Sequence, residues 1–167
     1  MNAGLLRELT KPEIAWMRMA GKLFTLDEAQ ELLLFIAPHL ERARDQKRSL
    51  ENLDEELSRA SAEIMVLGGS IPPRQKLGRI RQQRNELAEQ LKESVSKVAK
   101  TGCLIKDLEE GLVDFPSIVK GEEVYLCWKL GEERIEYWHR VHEGFAGRKL
   151  IDDTPSDSEP PGGSLIH

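Results

Sequence analysis

Side chains that are able to do acid–base or metal chemistry concentrate in the last third of the chain. They are carboxylates, imidazoles and one guanidinium, namely Asp107, Asp114, Glu132, His139, His142, Glu143 and Arg148. Two carboxylates and one histidine can hold a divalent cation, or can serve general acid–base catalysis, because imidazole titrates near neutral pH. The candidate pocket is predicted from Asp107, Asp114, Glu132, His139 and Arg148.

The spacing of these residues matches no familiar catalytic motif. The run His139-x-x-His142-Glu143 fits neither zincin pattern, HExxH or HxxEH, and it follows a β-rich run. Residues 144–148 contain two glycines and an arginine that suit an anion, although a turn that closes the β-region is the favoured interpretation. Cys103 and Cys127 belong to no CxxC or Cys/His pattern, so neither a zinc site nor a disulfide is predicted at them. We therefore expect no cofactor, with a divalent metal as the alternative.

A long amphipathic helix is predicted upstream of these residues. Thr25 and Glu28 have the spacing of a capping box, so the helix should begin near Leu26. Apolar residues then recur at three- and four-residue steps until about Val66. Pro38 falls inside this stripe and predicts a kink or a short break, because proline lacks an N–H and crowds the preceding turn.

A second helix is predicted over residues 74–100, and Gly102 should end it. Glycine and proline residues between 68 and 73 mark the loop that joins the two helices. A short connection favours antiparallel packing. The predicted seam places Leu50, Leu57 and Ile64 against Leu77, Leu87 and Leu91.

Charge also favours pairing of the two helices. Residues 25–64 hold ten acidic and five basic side chains, whereas residues 74–100 hold three acidic and eight basic ones. The basic residues near the start of the second helix are Arg74, Lys76, Arg79, Arg81 and Arg84. We interpret them as a solvated face beside an acidic helix, which argues against nucleic acid as a partner and leaves nucleic-acid binding as the third-ranked function.

After Gly102 the pattern changes to short β-like runs. Extended segments are predicted over 103–108 and over 112–115, where Pro116 should end the strand. A hairpin is predicted from residues 124–129 and 134–139, with Gly131 in a tight turn.

Pairing Lys129 with Arg134 in this hairpin divides its side chains between two faces. One face, nearly all apolar, should carry His139 together with Trp128, and it should pack on the helical hairpin. The wetter face should pair Tyr125 with Trp138 across the strands, which places Trp128 and Trp138 on opposite faces. Asp107 or Asp114 is the expected partner of a buried His139.

Composition bounds the class of protein. The chain has 167 residues, of which 40% are hydrophobic and 32% are charged, and this balance fits one globular domain over residues 23–151. Residues 1–22 are interpreted as an N-terminal extension, and residues 152–167 as a disordered acidic tail. The longest apolar run has six residues, too short for a membrane span, and the unpaired cysteines favour a cytoplasmic location.

Four stretches of the chain carry a resemblance to a known family. They are FTLDEAQELL at 24–33, IKDLEEGLVDFPS at 105–117, VYLCWKLGE at 124–132 and YWHRVHEGFAGR at 137–148. On these stretches the chain resembles a bacterial family catalogued as domain of unknown function 2203. The resemblance implies an N-terminal helical pair and a C-terminal β-element, and it implies no activity.

The predicted fold is α+β and mainly α, a long antiparallel helical hairpin with a small C-terminal antiparallel β-element. The predicted function is a non-enzymatic interaction or scaffold module of coiled-coil type that binds a protein partner or self-associates into a homo-oligomer. That prediction rests on the length of the helices, because a small β-element would leave part of their apolar seam exposed. The alternative is a small metal-binding protein or hydrolase-like enzyme centred on His139 and its nearby carboxylates.

Overall fold

The computed structural model describes residues 21–66 and 74–151. The interhelical loop at 67–73, most of the predicted N-terminal extension and the predicted acidic tail lie outside the described residues. The described part of the chain contains two α-helices, a short 3-10 helix over Phe145–Gly147 and a five-stranded sheet. Their bounds are α1 Leu26–Val66, α2 Arg74–Ala99, β1 Leu104–Asp107, β2 Leu112–Val119, β3 Glu122–Lys129, β4 Tyr137–Arg140 and β5 Lys149–Leu150.

Helix α1 begins where the capping box predicts. The backbone N–H of Thr25 donates to Glu28 Oε2 at 2.9 Å, and the N–H of Glu28 donates to Thr25 Oγ1 at 3.2 Å. The predicted break at Pro38 is wrong, because α1 continues through it to Val66. Pro38 is exposed, and the carbonyl that loses its N–H partner is that of Leu34, whose side chain is 88% exposed. The helix therefore bears this proline on its solvent side.

The predicted antiparallel hairpin is confirmed. Ala29 near the start of α1 and Ala43 near its middle are buried, and Ala29 shares a core with Val98 near the end of α2. Farther along, Lys76 Nζ of α2 lies 3.8 Å from Glu56 Oε1 of α1. All six predicted seam residues are half-buried, so the helices cover each other only in part beyond the core.

The five strands form an antiparallel meander in the order β1-β2-β3-β4-β5. One face of this sheet packs against the first half of α1 and the end of α2. The core between them contains Leu33, Ile36, Leu40, Val98, Val113, Phe115, Leu126 and Trp128. We call this side of the sheet the inner face and the other side the outer face. The predicted packing of an apolar sheet face on the hairpin is confirmed.

The predicted end of the second strand at Pro116 is wrong, because β2 continues to Val119. Leu104, the first residue of β1, is opposite Asp114, so β1 does not reach as far as Pro116. The missing N–H of Pro116 therefore removes no hydrogen bond between β1 and β2. The carbonyl of Pro116 instead accepts the N–H of Phe24 at 2.8 Å.

The predicted register of the last hairpin is also wrong, by one residue. Residues 130–136 separate β3 from β4, and the pairs are Cys127 with Tyr137, Leu126 with Trp138, and Tyr125 with His139. The predicted tight turn at Gly131 does form, with the N–H of Glu132 donating to the Lys129 carbonyl at 3.0 Å and a positive φ at Gly131, but the rest of this segment follows contacts elsewhere in the fold. The Trp128 indole N–H donates to the Glu132 carbonyl at 3.0 Å, and the N–H of Ile135 donates to Gln30 Oε1 of α1 at 2.9 Å.

A one-residue slip reverses the face of every side chain in one strand relative to its partner. His139 therefore lies on the outer face beside Tyr125, and not on the inner face with Trp128. Trp138 lies on the inner face with Trp128, so the two tryptophans share a face, and the predicted Tyr125–Trp138 pair does not form.

Candidate functional site

Three chemically active side chains meet on the outer face of the sheet. Asp114 comes from β2, Cys127 from β3 and His139 from β4. Their ligand-type atoms, one carboxylate oxygen, Sγ and one imidazole nitrogen, all lie within 4.8 Å of one another. Asp114 and His139 are each 1% exposed, and Cys127 is 2% exposed. We call these three residues the outer-face cluster.

Strand alternation places the cluster. Val113 and Phe115 fill the core from β2, so Asp114 between them must point outward. Leu126 and Trp128 do the same from β3, and Cys127 lies between them. Because Asp114 is opposite Cys127 in the β2–β3 pair, their side chains stand next to each other on one face.

The hydrogen bonds of His139 determine which nitrogen faces the cluster. Nδ1 lies 2.8 Å from the carbonyl oxygen of Arg140, and since a carbonyl only accepts, Nδ1 carries a proton. Nε2 lies 3.1 Å from Asp114 Oδ2. A lone pair on Nε2 would repel the carboxylate oxygen at this distance, so the contact requires either a proton on one of the two atoms or a metal ion bound by both.

Cys127 brings a thiol into the same environment. Burial, and after it the negative charge of Asp114, raise the pKa of Cys127 to about 12. The thiol is therefore protonated and a poor nucleophile unless a cation stabilises the thiolate. The other cysteine, Cys103, lies elsewhere in the core, and burial raises its pKa as well.

Two residues border the cluster on its solvent side. Lys106 Nζ lies 3.9 Å from Asp114 Oδ2, and the Lys106 side chain is 45% exposed. The Tyr125 ring packs edge-on against the His139 ring, with 5.6 Å between the centroids. Lys106 Nζ also lies 5.2 Å from the centroid of Tyr125. Burial, followed by the charges of Glu123 and Asp114, raises the pKa of Tyr125.

Arg148 reaches the backbone of the cluster from the C-terminal segment. Its Nη2 donates to both carboxylate oxygens of Glu132, at 2.8 and 2.9 Å, and to the carbonyl of Cys127 at 3.3 Å. The guanidinium carbon lies 4.1 Å from the ring centroid of Tyr137 and 4.9 Å from that of Phe145. With Glu132 as its partner, Arg148 joins the segment after β4 to the loop before it, and its charge is already matched.

The structure therefore divides the five predicted pocket residues. Asp114 and His139 come together, and Glu132 and Arg148 form a separate ion pair. Asp107 is exposed and accepts the N–H of Glu110 at 2.9 Å, which caps the turn between β1 and β2.

Two other side chains from the predicted chemistry-rich region also lie outside the cluster. His142 is exposed, and Glu143 pairs with Lys149 at 3.1 Å.

Cys127 is the cluster member that the sequence patterns missed. The outward direction of its side chain could be inferred from the sequence, because Cys127 lies between two apolar residues of a strand, both of which are in the core. The wrong hairpin register nevertheless placed His139 on the opposite face, so the thiol and the imidazole were not expected to meet.

In the described ranges, 21–66 and 74–151, no helix combines the length and apolarity that crossing a membrane requires. The sequence matches the family model described as "Uncharacterized conserved protein (DUF2203)" over residues 22–151. Neither the search of curated proteins nor the search of solved structures found a match.

Proposed function

The chain belongs to the DUF2203 family of uncharacterised conserved proteins, and we propose that it is a metal-binding protein that holds one divalent transition-metal ion between Asp114, Cys127 and His139. The observation that carries this proposal is the convergence of three different donor types, from three strands, within 4.8 Å.

The distances suit a shared ion. Nitrogen, oxygen and sulfur ligands of tetrahedral zinc lie about 3.3 to 3.6 Å from one another. His139 Nε2 and Asp114 Oδ2 are 3.1 Å apart, and all the ligand atoms of the cluster lie within 4.8 Å of one another. The Arg140 carbonyl supports the site from outside, because its hydrogen bond to Nδ1 leaves Nε2 as the ligand nitrogen.

The donor types indicate which ions fit. Imidazole and thiolate favour Zn²⁺ and its spectroscopic substitute Co²⁺, whereas Mg²⁺ and Ca²⁺ prefer oxygen alone. A dication would balance the carboxylate and the thiolate. Three protein ligands leave a fourth position open, which is the arrangement of zinc sites that act on a bound molecule.

A structural aspartate–histidine ion pair is the competing interpretation. It accounts for the contact between Asp114 and His139, and in it the protonated Cys127 thiol is a hydrogen-bond partner of the Asp114 carboxylate, whereas the metal site requires a thiolate. The decisive measurement is therefore one that reports on the sulfur.

The test is a titration of the purified, reduced protein with Co²⁺. We expect a thiolate-to-cobalt charge-transfer band with one ion bound per chain, and loss of the band in Cys127→Ser and in His139→Gln. Cys103→Ser is the matched control, because Cys103 is equally buried but lies outside the cluster, and it should retain the band. A wild-type protein without the band, or a Cys127→Ser variant that retains it, would contradict the proposal.

A second function, self-association through the helical hairpin, is favoured by the partial burial of the hairpin beyond the sheet. Within α1, which is described throughout, no residue after Ala43 is buried, and Met65 and Val66 are 85% and 84% exposed. We propose a second copy of the chain as the partner, because the acidic α1 of one copy matches the basic α2 of the other.

Light scattering after size exclusion tests this association. A homodimer whose fraction falls with salt and with dilution is expected, and a strict monomer at high concentration would contradict it.

Both cysteines are free and buried, which supports a cytoplasmic location as part of the proposal.

A further inference from the structure

We infer that Lys106 determines the metal affinity of the outer-face cluster, because its ammonium group competes with the bound ion for the Asp114 carboxylate. This inference rests on the proposed function and deepens it. It assigns to Lys106 the role of a competitor for the carboxylate and not that of a ligand.

The Lys106 ammonium group lies close to the Asp114 oxygen that would bind the metal. Lys106 Nζ lies 3.9 Å from Asp114 Oδ2, the same oxygen that lies 3.1 Å from His139 Nε2. A metal ion coordinated by this oxygen and by Nε2 would therefore have a positive charge for a near neighbour. At such separations two like charges repel strongly unless water screens them.

Exposure lets the ammonium group move away. The Lys106 side chain is 45% exposed, whereas the Asp114 side chain is 2% exposed. Lysine has a flexible stem and a strongly hydrated head, so it can exchange the carboxylate for water at low cost while Asp114 stays in place. The Tyr125 ring, 5.2 Å from Nζ, gives the ammonium group a second attractive surface close to the site.

The consequence is a balance between two cations. With Lys106 beside Asp114, the cluster keeps a partner for its buried carboxylate without any metal. When an ion binds, the lysine must leave, and the cost of moving it lowers the apparent affinity. Removal of the lysine charge should therefore tighten metal binding, which is the reverse of what the loss of a ligand would do.

Lys129 provides a matched control. It also lies near the cluster on β3, and its side chain is 38% exposed, but its Nζ pairs with Glu110 at 2.6 Å and not with a cluster residue. Neutralising Lys129 changes the net charge of the protein by the same amount as neutralising Lys106. Any difference between the two variants thus reports on position and not on total charge.

The experiment measures the Kd for Co²⁺, and for Zn²⁺ by competition, in the full chain and in Lys106→Met, Lys106→Gln, Lys106→Arg and Lys129→Met. We expect about tenfold tighter binding in Lys106→Met and Lys106→Gln, since both remove the local charge. Lys106→Arg and Lys129→Met should bind like the wild type. Circular dichroism checks that each variant is folded.

The outcomes separate the two proposals. If the wild type shows the thiolate–cobalt band but the Lys106→Met and Lys106→Gln variants bind equally or more weakly, the role of Lys106 is overturned and the metal site stands. If Lys129→Met tightens binding as much as Lys106→Met, the effect is one of total charge and the role of Lys106 is again overturned. If no form of the protein binds metal, the metal site and the role of Lys106 fail together.

Discussion

The two ends of the helical hairpin are built from the same kind of amphipathic helix but reach different degrees of burial. Next to the sheet, Ile36 and Leu40 of α1 and Val98 of α2 are fully buried. Toward the tip, Leu57 and Ile64 of α1 continue the apolar stripe but are only half-buried, although Ile80 of α2 is 6% exposed. The difference is a third layer, because two helices can cover only one side of each other while a sheet covers a second.

Charged groups differ between the same two regions. Near the tip, Arg84 pairs with Asp54 and Lys76 pairs with Glu56, with both partners partly in water. Such pairs contribute little to stability. At the sheet, Asp114 and His139 pair while almost fully buried, which is costly unless every polar atom is satisfied. Chemistry is therefore expected at the sheet, and association is expected toward the tip.

The largest effect on stability should follow Phe115→Ala. Phe115 is 0% exposed and packs its ring edge-on against Phe24, with 5.4 Å between the centroids. The substitution leaves a cavity among the sheet and both helices, so the free energy of unfolding should fall by about 3 to 5 kcal/mol. Chemical denaturation measures it, and a loss below that of the tip variants described next would refute the contrast between the two regions.

A smaller effect is expected for Leu57→Ala and Leu87→Ala in the seam toward the tip. Both residues are half-buried, so each substitution should cost about 1 to 2 kcal/mol, less than for a fully buried leucine. The same denaturation series measures it. Denaturation midpoints equal to the wild type in both variants would show that these leucines do not form the seam.

Thr25→Ala should lower the free energy of unfolding by about 1 kcal/mol, because it removes the side-chain cap of α1 at the sheet end.

The pKa of Glu28 is lowered, chiefly by the hydrogen bond from the Thr25 backbone N–H. The Glu28 contribution is therefore complete above the ordinary pKa of the carboxyl and is lost as the pH falls through the lowered value. Denaturation at a series of pH values should show this acid loss in wild type and its absence in Glu28→Gln, and an equal acid loss in both would exclude this source.

The smallest effect is expected from deletion of residues 153–167, which belong to neither region. Their composition offers almost no apolar surface before Leu165, so the melting temperature should stay nearly unchanged. A fall of many degrees in a thermal scan would show that this segment docks on the rest of the chain.

Much of the helical part of the fold was predictable because its signals are local. The Thr25–Glu28 capping box, the start of α1 and the extent of α2 follow from residues three or four positions apart, and the structure contains each of them. The break predicted at Pro38 does not occur, because the free-energy cost of a proline in a helix depends on which side of the helix faces water. The second strand was wrongly predicted to end at Pro116, because the free-energy cost of the missing N–H depends on how far the neighbouring strand extends. No local sequence pattern shows that extent.

The sequence by itself determined the helical hairpin, the antiparallel β-region and the outward parity of Cys127, since each follows from periodicity within one segment. The sequence also offered Asp114 as a partner of His139, but only the tertiary structure decided that this pair lies on the outer face with Cys127. The Ile135 N–H bond to Gln30 and the Trp128 bond to the Glu132 carbonyl shape the segment between β3 and β4, and the register differs by one residue from that of a short turn. Because side chains alternate every residue along a strand, that single step moves His139 from the core to the site.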